Sequence, residues 1–391
     1  MNKPKNNPPT QKEHRMSKWQ NIRLGDIADF SNGINFDKSS YCENGPYLIG
    51  VSDFGEELFP DYSTLRHIDS TIVRECNLLK DGDIVFVRSN GNKALVGRSM
   101  LIKNPPENTS FSGFCIRARI KNHESFDPLF FAYLFKSENF RKAIAGCSIG
   151  ANIQNLSQGK LASYMAYVPS IEIQRKIADI LSAYDDLIEN NRKQIKLLEE
   201  AAQRLYKEWF IDLRFPGYEN TKIINGIPEG WEKTLLGNLI EIKYGKDHKN
   251  IPNGNIPVYG SGGFMRKCSR ALHNGEAVLI PRKGSLNNIM YVNETFWTVD
   301  TMFYALMNQQ NIGFFVYFLL KSFDMYAMNI GAAVPSMTTS ILNAIDVVLP
   351  NATILEDFHN NVNALFKRVS TLNKQNDKLM ETRNRLLTKL L

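Results

Sequence analysis

The chain has 391 residues, 43% of them apolar, including 23 Phe and 15 Tyr; that length and content exclude a single ordinary core and a largely disordered polymer, and fit two or three globular domains. Forty-seven basic against 40 acidic residues leave a formal charge of +7, which permits a polyanionic partner without requiring one. The five cysteines, Cys42, Cys76, Cys115, Cys147 and Cys268, are odd in number and lack zinc-site spacing, so free thiols in a reducing cytoplasm are expected; no run of about 18 apolar residues marks a membrane-spanning helix.

In chain order, residues 1–16 are polar and rich in Pro and Asn, with no apolar segment; they read as a disordered leader rather than a secretion signal. A first globular module follows over 17–170. Asp83–Val87 and Cys115–Ile120 have the short β-branched and apolar runs of strands. Pro128–Arg141 reads as one aromatic-rich helix whose Phe130, Phe131, Tyr133 and Phe135 belong in a core.

After Pro169 the residues Ile173, Ile177, Ile180, Tyr184, Leu187, Asn191, Ile195, Leu198, Ala202, Leu205 and Trp209 recur at mostly alternating steps of four and three. That is the spacing of a coiled-coil seam. With no Pro or Gly inside it, 171–210 reads as one long helix. Residues 211–226, carrying Pro216-Gly217, read as a linker, and 227–350 as a second globular module in which Ile312–Ser322 partners the first aromatic helix. The final stretch, 351–391, repeats the long-helix pattern at Ile354, Phe358, Val362, Leu365, Val369, Leu372, Asn376, Leu379, Leu386 and Leu390. Asn191 and Asn376 interrupt the two seams; such residues either fix register or are tolerated as partly wet positions.

The two halves repeat each other. Trp19, Leu24, Gly25 and Gly33 reappear as Trp231, Leu236, Gly237 and Gly245 at an offset of 212. Gly82 to Val87 aligns with Gly275 to Ile280 at 193, and Gly150-Ala151, Leu161 and Pro169 align with Gly331-Ala332, Leu342 and Pro350 at 181. The last offset holds without a gap through Arg204 and Arg385. Length differences therefore fall inside the modules, while the helices match: a fixed scaffold carrying two modules free to diverge. Two helices with matching seams are expected to pair, and the module between them favours an antiparallel pair.

The openings at Trp19 and Trp231, the Gly150 and Gly331 turns, Ile173–Leu181, Leu205–Phe210 with Phe215-Pro216-Gly217, Pro257–Gly263 and Pro281–Ser285 together resemble the specificity subunits of type I restriction-modification systems, over nearly the whole chain after the leader. The resemblance implies an α+β fold of two target-recognition domains joined by two long antiparallel helices with an internal pseudo-two-fold repeat. Each domain would read one half of a split site in double-stranded DNA. The helices would set the gap and dock two methylation subunits, and a motor and nuclease subunit would complete the complex. The chain would carry no catalytic site and no cofactor, S-adenosylmethionine, ATP and Mg being expected on the partners.

Base readout uses Arg for guanine and Asn or Gln for adenine, while Lys serves phosphates. The loop after the first shared strand offers Arg88, Ser89, Asn90, Asn92, Lys93 and Arg98; its counterpart offers Arg282, Lys283, Ser285 and Asn287. A basic stretch adds Lys246, His248 and Lys249, with Tyr259 and Ser261. These fifteen residues are the candidate DNA contacts, each loop being alternatively an ordinary polar turn. Gln154 and Asn155 are weaker, because the repeat places Pro335 and Ser336 there. No metal ligand set is expected of the six scattered histidines. A methyltransferase-related enzyme is the rival class, since Asn7-Pro8-Pro9 and Asn104-Pro105-Pro106 resemble its Asn-Pro-Pro-aromatic motif, but both lack the aromatic, the first lies in the leader and no glycine-rich cofactor turn precedes the second; with no Gly-x-x-x-x-Gly-Lys-Ser/Thr phosphate loop, an ATP motor is not expected either. A coiled-coil scaffold binding only proteins would explain the helices and leave the two diverging modules without a purpose.

Overall fold

The computed structural model describes residues 19–145, 155–328 and 336–391. The leader, the Gly150 and Gly331 turns, Gln154 and Pro335 lie outside the described residues. The chain divides into two compact units: 1–190 with 375–391, and 191–374.

In unit 1 the described elements run β1 (Gln20–Arg23), α1 (Leu24–Ile27), β2 (Ala28–Asn32), β3 (Tyr41–Ile49), β4 (Arg66–Ile68), β5 (Ile84–Val87), β6 (Ser99–Leu101), β7 (Ser110–Phe111), β8 (Cys115–Ile120), α2 (Pro128–Lys136), α3 (Glu138–Ala145), α4 (Gln158–Ser163) and β9 (Met165–Val168), after which the long helix α5 (Ile171–Tyr206) begins. The strands form a sheet of order β2-β8-β5-β6, a second of order β4-β3-β7, and a ribbon in which β1 pairs antiparallel with β9. The aromatic segment is two helices rather than one. Ser137 stops α2, its hydroxyl donating to the Leu134 carbonyl at 2.7 Å and accepting from the Phe140 amide at 3.3 Å, an alternative to the helical ladder. Asp127 caps the start of α2 by accepting from the Phe130 amide at 2.8 Å, and Phe130, Phe131, Tyr133 and Phe135 are all buried.

Unit 2 opens on a hairpin, β10 (Ile223–Ile224) and β11 (Ile227–Pro228), turned by Asn225 and Gly226 at φ 51° and 78°. Positive φ at both central residues is what the twist of a two-residue hairpin demands, and Asn-Gly supplies it at least cost. Then come β12 (Glu232–Leu235), α6 (Leu236–Leu239), β13 (Ile240–Tyr244), β14 (Ile256–Gly260), β15 (Gly263–Cys268), β16 (His273–Pro281), β17 (Met290–Thr298), β18 (Met302–Met307), α7 (Gly313–Ser322), α8 (Thr339–Asn343), β19 (Asp346–Leu349) and the second long helix α9 (Ala352–Leu390). Six strands join in the order β13-β18-β16-β17-β14-β15, and β12 pairs with β19.

The units share one topology. The parallel pairing of β3 with β7, Ile49 opposite Phe111, recurs as β14 with β17, Tyr259 opposite Thr298. In unit 2 the nine-residue β17 runs through both sheet regions and fuses them. In unit 1 its counterpart is broken into β6 and β7, with Asn104 and Asn108 at positive φ between them. Strand register corrects one alignment: Val87 faces Cys115 and Pro281 faces Met302. With Cys115 and Met302 equivalent, the true offset here is 194 (281 minus 87), not 193, so Arg88 matches Arg282.

Each unit mounts the beginning of one long-helix segment and the end of another on a globular core, as an antiparallel pair requires. In unit 1, Ile177, Ala178 and Leu181 of α5 share a core with α2, and Leu386, Leu387 and Leu390 of α9 pack on the same cluster. In unit 2, Ala202 and Tyr206 of α5 lie in one core with Ile354, Phe358 and Val362 of α9. Gln174, 1% exposed, fastens α5 to the first module: its Oε1 accepts from the Asp127 amide at 2.9 Å and its Nε2 donates to the Pro169 and Ser125 carbonyls at 2.8 and 3.0 Å. The α9 seam follows the heptads through Ile354, Phe358, Val362, Val369, Leu372 and Asn376. The early α5 seam does not: Leu181 and Ile188 are buried while Ile180 and Leu187 are about half exposed. There the helix faces its module as well as a partner helix, which rotates the buried stripe off the heptad positions.

Candidate nucleic-acid interface

A tight turn before β8 organises the unit 1 site. The Cys115 amide donates to the Ser112 carbonyl at 2.8 Å, and the turn is held from below by the Ser112 amide on the Ile49 carbonyl and the Ile34 amide on the Phe111 carbonyl, both 2.9 Å. Gly33 is required here, because a Cβ on it would run into the Phe111 and Ser112 carbonyls. Onto this turn the post-strand loop is docked by backbone. Arg88 and Ser89 amides donate to the Phe114 carbonyl at 2.8 and 3.3 Å, and Arg88 Nη1 donates to the Gly113 carbonyl at 3.2 Å.

Unit 2 repeats this arrangement. The Met302 amide donates to the Val299 carbonyl and the Val299 amide to the Tyr259 carbonyl, both at 3.0 Å. Arg282 and Lys283 amides donate to the Thr301 carbonyl at 2.8 and 3.2 Å, and Arg282 Nη1 reaches the Asp300 carbonyl at 3.3 Å. On the far side, the Leu156 amide meets the Arg88 carbonyl and the Met337 amide the Arg282 carbonyl, both at 2.9 Å. Asn155 bridges to Ser89, and Ser336 to Lys283. Each guanidinium is thus held by one Nη while its Nε and other Nη keep donors to offer. Arg282 is also over the Tyr244 ring, 5.7 Å from its centroid.

The structure therefore gathers Lys246, Tyr259, Ser261, Arg282 and Lys283 around residues 298–301. The Lys246 amide donates to the Thr298 carbonyl at 2.9 Å, and Ser261 sits against Gly284, where its carbonyl accepts from Asn288 Nδ2 at 2.8 Å. Lys93, Lys246, Lys249, Lys283 and Ser285 are exposed. His248 is organised by Arg266, whose Nε donates to His248 Nδ1 at 3.1 Å and whose Nη2 donates to the His248 carbonyl. An accepting Nδ1 leaves Nε2 as the N–H of the neutral imidazole. Tyr259 gives its hydroxyl to Glu294 at 2.6 Å, and burial together with that carboxylate raises its pKa.

Other candidates have structural duties. Asn90 Oδ1 accepts from the Asn92 amide at 2.7 Å and Asn92 Oδ1 from the Ala94 amide at 3.0 Å, so each side chain is oriented by the loop it sits in. Arg98 pairs with Glu56 at 2.8 Å. Asn287 is engaged at both ends: Nδ2 on Asp324 at 3.3 Å, and Oδ1 accepting from the Met325 amide at 2.8 Å. Sequence reasoning missed Phe114, 61% exposed at the turn apex, and Phe264, 59% exposed; an aromatic in a strand-rich segment looks like core until its side is known. It also missed Arg266, a partner defined only by the fold. Among the described residues no His, Cys, Asp and Glu group could hold a metal ion, and no helix is long and apolar enough to cross a membrane.

One frame used twice, each copy presenting a different polar loop over a rigid turn, defines a duplicated recognition protein. The family described as "Type I restriction modification DNA specificity domain" matches residues 16–200 and again 228–382, and the chain belongs to that family. It is similar to the type I restriction enzyme MjaIX specificity subunit of Methanocaldococcus jannaschii, 28% identical over 361 residues, covering 83% of this chain and 81% of that protein. It also matches the StySPI specificity subunit of Salmonella potsdam, 26% identical over 228 residues, 57% of this chain and 48% of that one. The fold is shared with the crystal structure of the type I restriction-modification S subunit from M. genitalium, with a TM-score of 0.57, 18% identity, and coverage of 95% of this chain and 96% of that chain.

Proposed function

We propose that this specificity subunit reads a two-part DNA site, unit 1 recognising one part through the loop at Arg88 and unit 2 the other through the loops at Lys246 and Arg282. The observation that carries the reading is the matched turn: a guanidinium is tethered at the same place in both units, while its surroundings differ. Gly113, Phe114 and Ser89 in one stand where Asp300, Thr301 and Lys283 stand in the other. An identical frame with different side chains is what recognition of two different base sequences needs. The long helices act as spacer and as the docking face for two methylation subunits, with motor and nuclease subunits completing a cytoplasmic complex. In this reading the chain is not an enzyme; S-adenosylmethionine, ATP and Mg serve the partners.

Mapping methylated adenines in cells that carry the complete system tests this. A two-part motif with a fixed gap that disappears when this chain is deleted is the expected result. Methylation at a continuous motif, or a motif indifferent to the deletion, would remove the reading.

A further inference from the structure

The turn that docks Arg88 also presents one apolar side chain to solvent. Residues 109–118 are buried with a single exception, Phe114, which is 61% exposed between Ser112 at 3% and Cys115 at 0%. Both backbone groups of Phe114 are engaged. Its amide donates to Ser112 Oγ at 3.2 Å, and its carbonyl accepts from the Arg88 and Ser89 amides at 2.8 and 3.3 Å. The preceding Gly113 amide is held on the Ile34 carbonyl at 2.6 Å. The ring is therefore carried by a fixed backbone, and among the described residues it joins none of the hydrophobic clusters of unit 1.

Single exposed apolar side chains are ordinary on protein surfaces; position sets this one apart. It follows directly on Gly113, whose carbonyl tethers Arg88 Nη1 at 3.2 Å. Unit 2 also has an exposed aromatic beside its tethered guanidinium, but delivers it from another strand. Its apex residue is Thr301, and the ring belongs to Tyr244 of β13, 53% exposed, with the Arg282 guanidinium 5.7 Å from the ring centroid. Two non-equivalent positions supplying the same kind of side chain at the same place point to what the arginine faces, rather than to the frame, as the reason.

We propose that Phe114 is a specificity-determining residue that touches the 5-methyl group of a thymine, at a base pair next to the one Arg88 contacts. The inference deepens the reading of Arg88 as a DNA contact and rests on it. A phenyl ring has no hydrogen-bond donor or acceptor, so a duplex offers it only thymine methyls and base faces. Base faces are reached by unstacking a step, which costs energy. The methyl needs no unstacking. It lies in the major groove, where guanine O6 and N7 match the free guanidinium edge of Arg88, and contact with it is a recognised use of Phe.

The test is competition binding of the full chain, in complex with its methylation subunits, to the duplex defined by the methylated motif. Each thymine is replaced in turn by deoxyuridine, which lacks only the methyl. One replacement in the part read by unit 1 should weaken wild-type binding about fourfold, the order for one buried methyl-sized group. F114A should bind the thymine duplex more weakly by a similar factor and no longer distinguish thymine from deoxyuridine. F114L should keep part of the preference. The melting temperature of F114A should stay near the wild type, because the ring is mostly exposed. Wild-type indifference to every replacement overturns the proposal, as does an unchanged thymine preference in F114A. Loss of methylation subunits from F114A with DNA affinity intact also overturns it, assigning the ring to a protein contact. R88A separates the two levels. If R88A weakens binding while F114A matches the wild type, this inference alone fails; if both match the wild type, the reading of the unit 1 site fails with it.

Discussion

Arg383 and Asp185 lie 198 residues apart in sequence and form an ion pair within unit 1, their side chains only 18% and 13% exposed. Tyr133 of α2 donates to the other Asp185 oxygen at 2.5 Å, so one carboxylate joins both long helices to the module core. Removing one member of a largely buried pair leaves the other charge unmatched, which costs about 3 kcal/mol or more. Asp185→Asn should lower urea-unfolding stability by that amount, and Arg383→Met by less, because Tyr133 still satisfies the carboxylate. Equal stability of D185N and wild type would show that the helix ends are not fastened this way.

Lys136 gives the fold a pH signature. Its folded pKa of about 8 lies below the ordinary 10.5, so between these values the unfolded chain holds a proton the folded chain has released. Stability then rises with pH: the penalty for burying the ammonium is fully present below about pH 8 and lifts as pH climbs. The clean window ends near pH 10, where exposed tyrosines of the unfolded chain ionise while Tyr133, raised by burial and by Asp185, does not. Urea midpoints measured from pH 8 to 10 should rise in the wild type and run flatter in K136M. Parallel profiles would remove Lys136 as the cause.

For DNA binding, Arg88→Ala and Arg282→Ala should each cost about 1–3 kcal/mol on a cognate duplex if the free guanidinium edge makes a bidentate base contact. The loss should follow one part of the site for Arg88 and the other for Arg282. Competition binding with each part mutated in turn checks this. Equal losses on cognate and random DNA would reassign both residues to phosphate contact. Asn287→Ala belongs in the same series as a structural contrast: with both ends of its side chain engaged inside unit 2, it should lower stability.

The spacer role predicts a change in the gap. Lengthening α5 and α9 by one heptad each, about 10 Å of helix, should alter the gap in the methylated motif without changing the bases read. A gap indifferent to helix length would leave the helices as docking surfaces only.

The duplication and the long helices are legible because they are periodic and local: the α9 heptads as far as Asn376 and the Gly33 and Gly245 match survive in three dimensions. What failed depended on partners remote in sequence. The 193 offset slipped by one residue because glycines, not strand register, anchored it. The heptad spacing puts Ile180 and Leu187 in a seam, whereas the folded α5 leaves both about half exposed and is fastened to the module through Gln174 and the Asp127 amide. Phe114 and Arg266 were overlooked because exposure of one and the loop contacts of the other exist only after folding. The linker hairpin at Asn225-Gly226 did carry a readable signal, a two-residue turn with an apolar pair on either side.

The glycine match yields the most direct test of how the turn governs the site. At Gly245 a Cβ would collide with the carbonyls of Val299 and Thr298, backbone atoms that cannot rotate aside as a side chain can. Insertion of a methyl group into such a contact costs about 1–3 kcal/mol, and relief would come by lifting the 298–301 turn. Lys246, Tyr259 and Arg282 hydrogen-bond to this turn, so G245A should weaken unit 2 DNA binding beyond what its stability loss explains, with unit 1 specificity untouched. Gly33→Ala should do the reverse through the Phe111 and Ser112 carbonyls. Gly262→Ala, where an added Cβ meets nothing within 4 Å, should stay near the wild type in both measurements. If G245A melts like G262A and binds DNA like it, the turn is not what positions Arg282.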